Sequence, residues 1–354
     1  MTKNFTRRKA LAAGAASAGM LIGTTYSQSQ DEKPSQTTHP LFLSPWSPPA
    51  DLERNLTPGM TPIRLAARTS ETDLNYPEDI SITEMVKRIR DMGYTSTCAR
   101  VNRDKRNPWL DASEPEITEL KEALKTYDVT FFGMRAVENN IHPDPAERQK
   151  INRHVVEQCE TAERLGGPTV TTGTGSCDPG RAIAPHKDNW TWETWKLTVK
   201  VIRQILRDTA GMKVVLAIEA LNMGNINNPQ AHLQLIEDVG DPRCKVTLDP
   251  VNMINLGTYF RTTELIDECF DLLGEHIVVA DAKDTYVLPD RMSAYITQVP
   301  PGRGMLDYET FLVRLSRLSY PRTLLLEGLS KEQYPAAKKF IEDTAAKVGV
   351  TIYS

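Results

Sequence analysis

The chain has 354 residues, 40% of them hydrophobic and 25% charged, with a formal net charge of −4. That composition is ordinary for a soluble globular protein, and the length accommodates one large domain. A net negative chain is poorly suited to nucleic acid or to anionic membranes, and five scattered cysteines without a C-x-x-C pair indicate neither a disulfide framework nor a thiolate zinc site.

The first 29 residues differ from the rest. They hold Lys3, Arg7, Arg8 and Lys9 and no acid, so the remainder of the chain carries −8. "TRRKAL" followed by a run of small apolar residues from about Ala10 to Gly23 resembles a twin-arginine export signal, although the usual Phe before the Leu is missing. The run is shorter than the ~20 apolar residues a membrane span needs. The resemblance implies a bacterial protein exported to the periplasm or beyond, without stable membrane association once the signal is removed. Residues 30 to 61, rich in Pro, Ser and Thr, read as a linker or a strap over the domain that spans 62 to 354.

From residue 63 onward strand-like and helix-like segments alternate. "IRLAA" (63 to 67) precedes a helix around 82 to 92, "YTSTCARV" (94 to 101) one around 116 to 126, and "VTFFGMR" (129 to 135) one around 145 to 165. "PTVTTG" (168 to 173) precedes a Trp-bearing helix around 191 to 209, "KVVLAIE" (213 to 219) one around 229 to 238, and "CKVTLD" (244 to 249) one around 261 to 273. "HIVVAD" (276 to 281) leads through a long loop (285 to 306) to a helix around 307 to 318, and "RTLLLE" (322 to 327) to a last helix around 331 to 347. Strand–helix alternation predicts a parallel sheet covered by helices, and eight units predict a closed (β/α)8 TIM barrel. The alternative, an open doubly wound sheet, calls for a Gly-rich turn after the first strand, and "RTSETDLNYPED" has no glycine.

Barrel enzymes place their reactive groups at the C-terminal ends of the strands. Four consecutive strands here end in an acid: Glu219, Asp249, Asp281 and Glu327. Carboxylates that converge raise one another's pKa unless a cation compensates, and oxygen-only ligands suit a hard divalent ion such as Mg²⁺ or Mn²⁺ better than zinc. The plain alternative is that these acids cap helices or pair with Lys283, Arg303 or surface cations.

The four strand ends, with "HPDPAER" and "PPGRGMLDY", resemble the xylose isomerase-like barrel superfamily, which holds sugar isomerases and epimerases and also the endonuclease IV type. The resemblance runs from about residue 63 to 348. It implies that Glu219, Asp249 and Glu327 bind a divalent metal, most simply Mn²⁺ or Mg²⁺, and that the two glutamates also move the proton. Asp281 stands where the family has His or Gln, so "H-x-K-D" becomes "DAKD", and Asn252 stands where the family has a His after strand 6. The implied chemistry is proton transfer beside a sugar carbonyl. Lyase or hydrolase action on an oxidised glycoside, and a non-catalytic secreted sugar-binding barrel, are the alternatives. An endonuclease-like reading is disfavoured by six histidines and the acidic charge.

Around this core, His142 and His186 lie in loops on the catalytic side and are candidates for substrate hydroxyls, as is Asn252. Lys283 shares a strand face with Asp281 and either polarises the carbonyl or offsets the acids. Arg303 sits on the long loop, a candidate lid. Trp190, Trp192 and Trp195 offer either a stacking surface for sugars or simple helix packing. His39, His154, His232 and His276 read as structural. The partner is a carbohydrate, and a homo-oligomer is compatible with the sequence.

Overall fold

The computed structural model describes residues 57–68, 80–100, 112–136, 138–290, 292–319 and 322–353. The export-like segment and residues 30 to 56 of the strap lie outside the described residues. The described end of the strap runs against the penultimate helix, where Gly59 N–H donates to Ser316 Oγ at 2.9 Å and Thr61 N–H to Ser316 O at 3.3 Å.

Eight parallel strands close on themselves. They are β1 (Ile63–Arg68), β2 (Ser96–Arg100), β3 (Thr130–Ala136), β4 (Thr169–Thr172), β5 (Val215–Glu219), β6 (Cys244–Leu248), β7 (Ile277–Ala282) and, after a hairpin, β10 (Arg322–Leu326). Each pairs with its neighbour, and β10 pairs with both β7 and β1, which closes the barrel and excludes the open sheet. Their helices are α1 (Ile82–Asp91), α2 (Glu114–Thr126), α3 (Pro145–Leu165), α4 (Trp192–Asp208), α5 (Pro229–Val239), α6 (Thr262–Leu273), α7 (Tyr308–Ser316) and α8 (Tyr334–Lys347).

Local chemistry accounts for these boundaries. "HPDPAER" is a helix start: Asp144 accepts from Ala146 N–H and Glu147 N–H, and Pro145 occupies the first turn, where a missing N–H costs nothing. Thr191 caps α4, whose Trp195, Val199, Ile202 and Leu206 recur at helical spacing and are buried against the barrel. The strands are buried on both faces, as a parallel sheet under helices requires.

The segment after β7 is more ordered than a loop. It carries an antiparallel hairpin, β8 (Asp284–Val287) with β9 (Ile296–Val299), beside the site. Its return is tied down by Asp284, whose buried carboxylate accepts N–H bonds from Thr285 (2.8 Å), Gly302 (3.0 Å), Gly304 (2.9 Å) and Leu306 (2.9 Å). This explains the glycines of "PPGRGMLDY": a Cβ at Gly304 would sit 2.3 Å from Asp284 Oδ1, and Gly302 has φ +81°. A two-residue strand, β11 (Ile352–Tyr353), extends the sheet beside β1.

Inside the barrel, Ala66, Cys98, Phe132, Val279 and Leu325 pack into a small apolar plug. On the strands that supply the plug, the next inward positions toward the C-terminal ends are polar. On β1, β7 and β10 simple alternation leads from Ala66, Val279 and Leu325 to Arg68, Asp281 and Glu327. On β3 alternation is broken, because Cys98 pairs with Gly133 where its predecessor Thr97 pairs with Phe131, leaving Phe132 as a bulge. Phe132 and Arg135 thereby both face the interior. Only glycine fits beside the bulge: Gly133 has φ +150°, and a Cβ there would lie 1.8 Å from Thr169 O.

Candidate active site

Glu219, Asp249, Asp281 and Glu327 meet at the mouth. One carboxylate oxygen from each lies within 4.8 Å of the others, and all four residues are buried. They come from the C-terminal ends of β5, β6, β7 and β10, adjacent strands in the barrel. Asp249 also caps the short turn that follows it, accepting from Val251 N–H through Oδ1 at 3.0 Å, which leaves Oδ2 for the site.

Four buried carboxylates require compensation, and among the described residues three cationic side chains supply it. Arg135 grips Asp281 bidentately, donating from Nη1 to Oδ1 at 3.1 Å and from Nη2 to Oδ2 at 2.8 Å. The same Nη2 donates to Glu219 Oε2 at 2.9 Å and approaches Glu327 at 3.4 Å. Lys283 Nζ lies 2.6 Å from Asp249 Oδ2, 2.7 Å from Glu327 Oε2 and 3.6 Å from Glu219 Oε1. Arg68 at the end of β1 pairs with Glu327. Every carboxylate therefore has a cationic partner, and among the described side chains these seven formal charges sum to one unit negative.

These contacts divide the acids. Burial pushes the Glu219 carboxyl up, but Lys283, Arg135 and Arg68 outweigh it and hold it below the ordinary glutamate value. Burial wins at Asp249, which is raised to about 6 against the pull of Lys283, with Glu219 and Asp281 pushing the same way as burial. Asp281 is raised by burial despite Arg135. Burial disfavours the Lys283 ammonium, yet Asp249, Glu219 and Asp281 together hold it above the usual lysine value.

The expected site residues separate into two groups. Asn252 joins the cluster, donating from Nδ2 to Glu219 Oε1 at 2.7 Å, and Lys283 lies at its centre. His142 and His186 are engaged elsewhere, and Arg303 does not join the cluster. His142 stitches two loops, accepting from Asp144 N–H at 3.2 Å through Nδ1, with Nε2 3.1 Å from Pro179 O. His186 caps the turn Lys187–Trp190 by accepting from Asp188 N–H. Arg303 is exposed, and its backbone N–H bonds Pro300 O. Of the tryptophans, Trp195 is core and donates to Asp238 Oδ2 at 2.7 Å, whereas Trp190, which donates to Gly224 O at 3.0 Å, and Trp192 keep aromatic surface exposed. Arg68 and Arg135 were not anticipated. The signal that finds them is the one that found the acids, a charged residue closing a buried strand.

By donor type and span the quartet is a possible metal site. An octahedral Mg²⁺ or Mn²⁺ with oxygens at about 2.1 Å sets opposite ligands about 4.2 Å apart, which the 4.8 Å span accommodates. The all-oxygen set suits such an ion better than zinc.

Closed parallel barrel and carboxylate mouth together define a class, and comparison with known proteins gives the family. Residues 86–345 match the xylose isomerase-like TIM barrel family, and the chain belongs to it. Among solved structures it is similar to a xylose isomerase-like TIM barrel protein from Mycobacterium smegmatis in complex with magnesium, at 14% identity and TM-score 0.61 over 81% of this chain and 96% of that one. It is also similar to the D-psicose 3-epimerase of Clostridium cellulolyticum H10 with D-tagatose, at 15% identity and TM-score 0.56 over 81% and 96%. A third is the IOLI protein with a bound zinc atom, at 17% identity and TM-score 0.59 over 81% and 98%. At these identities the likeness establishes the fold.

Proposed function

We propose that the protein is a sugar or keto-sugar isomerase or epimerase that moves a proton on the carbon beside a carbonyl, assisted by Mn²⁺ or Mg²⁺. The observation that carries this reading is the convergence of Glu219, Asp249, Asp281 and Glu327 at the end of a barrel otherwise plugged with apolar side chains. The sugar-bound epimerase of the same fold is consistent with it. The ion would be held by these four residues and would polarise the carbonyl and stabilise the developing enediolate.

The chain's own residues set up the proton transfer. Glu219 is held ionised by Lys283, Arg135 and Arg68 and fits the base that removes the C–H proton. Glu327, just past β10, stands three strands away around the barrel and fits the group that returns it. Asn252 fixes one Glu219 oxygen and so orients the carboxylate. Trp190 and Trp192 offer rings on which a sugar face could stack.

Incubating the protein with a panel of ketoses and aldoses in D₂O with Mn²⁺ tests the reading. Deuterium is expected in the recovered sugar, falling by about 10²–10⁴-fold in Glu219→Gln. An unsaturated product would replace it with a lyase, and a bound sugar that never exchanges would leave a binding protein. We further propose that the segment around Arg7 and Arg8 exports the folded protein. Export of the wild-type chain and retention of Arg7→Lys with Arg8→Lys are expected; retention of the wild-type chain in the cytoplasm would refute this.

A further inference from the structure

Two cations each bridge three of the four carboxylates: Arg135 reaches Glu219, Asp281 and Glu327, and Lys283 reaches Glu219, Asp249 and Glu327. They are not equivalent. The Arg135 guanidinium is planar and locked bidentately on Asp281, at the inner end of a strand whose bulge aims it there. The Lys283 ammonium is a compact charge on a flexible stem, one residue beyond the end of β7, and stands at hydrogen-bond distance from an oxygen of Asp249 and one of Glu327.

Because Asp249 Oδ1 caps the following turn and Glu327 Oε1 pairs with Arg68, these are also the two oxygens left to an ion at the mouth. A divalent cation within about 3 Å of a retained ammonium would meet strong repulsion in a site this dry. Formal charge points the same way. Among the described side chains, an added divalent ion with the ammonium kept gives one unit positive, whereas with the ammonium displaced the four carboxylates, Arg68, Arg135 and the ion sum to zero. Resting on the reading of the quartet as an ion site, we propose that the Lys283 ammonium and a divalent cation are alternative occupants of the Asp249–Glu327 gap. The ion enters by expelling the ammonium toward the mouth, while Arg135 stays on Asp281 as a permanent internal counter-ion.

Two consequences follow. The site is charge-compensated before any ion arrives, so its affinity is lower than four carboxylates alone would confer. Ion binding also delivers a lysine donor to the side from which substrate enters.

Calorimetric titration of the full-length protein and of Lys283→Met with MnCl₂ tests the exclusion. Lys283→Met is expected to bind Mn²⁺ at least about tenfold more tightly than wild type, one buried charge's worth of relieved competition. Equal or weaker binding by the variant, with wild type still binding, would overturn the exclusion and leave the proposed function standing. If neither protein binds Mn²⁺, the exclusion and the metal-assisted part of that function fail together, while deuterium exchange without added metal would still report proton transfer. A second measurement needs no variant: acylation of Lys283 in the wild-type protein, followed by peptide mass spectrometry. Labelling is expected to rise severalfold with Mn²⁺, and unchanged or reduced labelling would overturn the displacement.

Discussion

One side of the barrel mouth is acidic and the other basic. β5, β6, β7 and β10 contribute Glu219, Asp249, Asp281 and Glu327, whereas β1 and β3 contribute Arg68 and Arg135, which reach across to them. Lys283 is the exception, a cation carried by the acidic side. The acidic side supplies groups that can bind an ion and move a proton. The basic side supplies what lets so many carboxylates stay buried, since an unpaired buried charge costs several kcal/mol. The same fold therefore shows a reactive array and its internal counter-ions as separable parts, on different strands and with different local geometry.

The sharpest way to break this arrangement is to take away the basic side. Arg135→Met leaves Asp281 without its bidentate partner and Glu219 without its closest one. The expected loss is about 3–5 kcal/mol, the range for removing one partner of a buried ion pair. It is to be read from urea unfolding at pH 7. The double variant Arg135→Met with Asp281→Leu should recover much of that loss, because the orphaned charge goes with it. If the single variant is as stable as wild type, Arg135 is not what compensates Asp281. A smaller effect follows from displacing Arg135 without removing it. Gly133→Ala puts a Cβ against Thr169 O at a φ that disfavours any side chain, and should cost about 2–3 kcal/mol. Because the clash and the φ are backbone effects, Gly133→Ala should lower the midpoint of Arg135→Met as well, and any extra loss in wild type measures how much the bulge serves to aim that guanidinium.

The acidic side was more legible in the sequence than the basic side, because converging acids call for a compensating cation whereas an arginine at a strand end does not by itself point to a site. Acids on four consecutive strand ends form a pattern, because consecutive barrel strands are spatial neighbours. Arg68, Arg100 and Arg135 stand at or next to the ends of the consecutive strands β1, β2 and β3, so a run of neighbours was present here too; what the sequence did not show is that Arg68 and Arg135 reach across to the acids. Arg135 also lies three residues from Phe132, which regular alternation assigns to the opposite face, and the bulge at Phe132 reverses that assignment. The glycine within "VTFFGMR" was a usable cue for a bulge. The eight strand–helix units were legible because apolar periodicity and caps agree, as at Asp144–Pro145. The hairpin within 285 to 306 was not, since its ordering comes from Asp284 gathering distant backbone N–H groups. His142 and His186 show the remaining ambiguity: a loop histidine that stitches backbone and one that meets substrate carry the same local sequence signal.

A buried group without compensation gives the opposite case to Arg135 and the smallest predicted effect. His232 on α5 is fully buried, and neither ring nitrogen has a hydrogen-bond partner among the described residues. Burial, reinforced by His276, pushes its pKa down to about 3. The folded protein keeps this imidazole neutral, whereas the unfolded chain takes up a proton below about 6.5. Its contribution is therefore complete above pH 6.5 and is lost progressively as pH falls from there toward 3. Between pH 6.5 and 5 that loss amounts to about 2 kcal/mol. His232→Leu removes the titrating group while keeping an apolar side chain, so its stability should fall less than that of wild type over the same interval. Urea midpoints of both proteins at pH 7 and pH 5 isolate the difference, since the carboxylates of the mouth are common to both. Parallel losses would show that His232 finds a proton-accepting partner when it charges, which would make it a compensated site after all and remove the contrast with the barrel mouth.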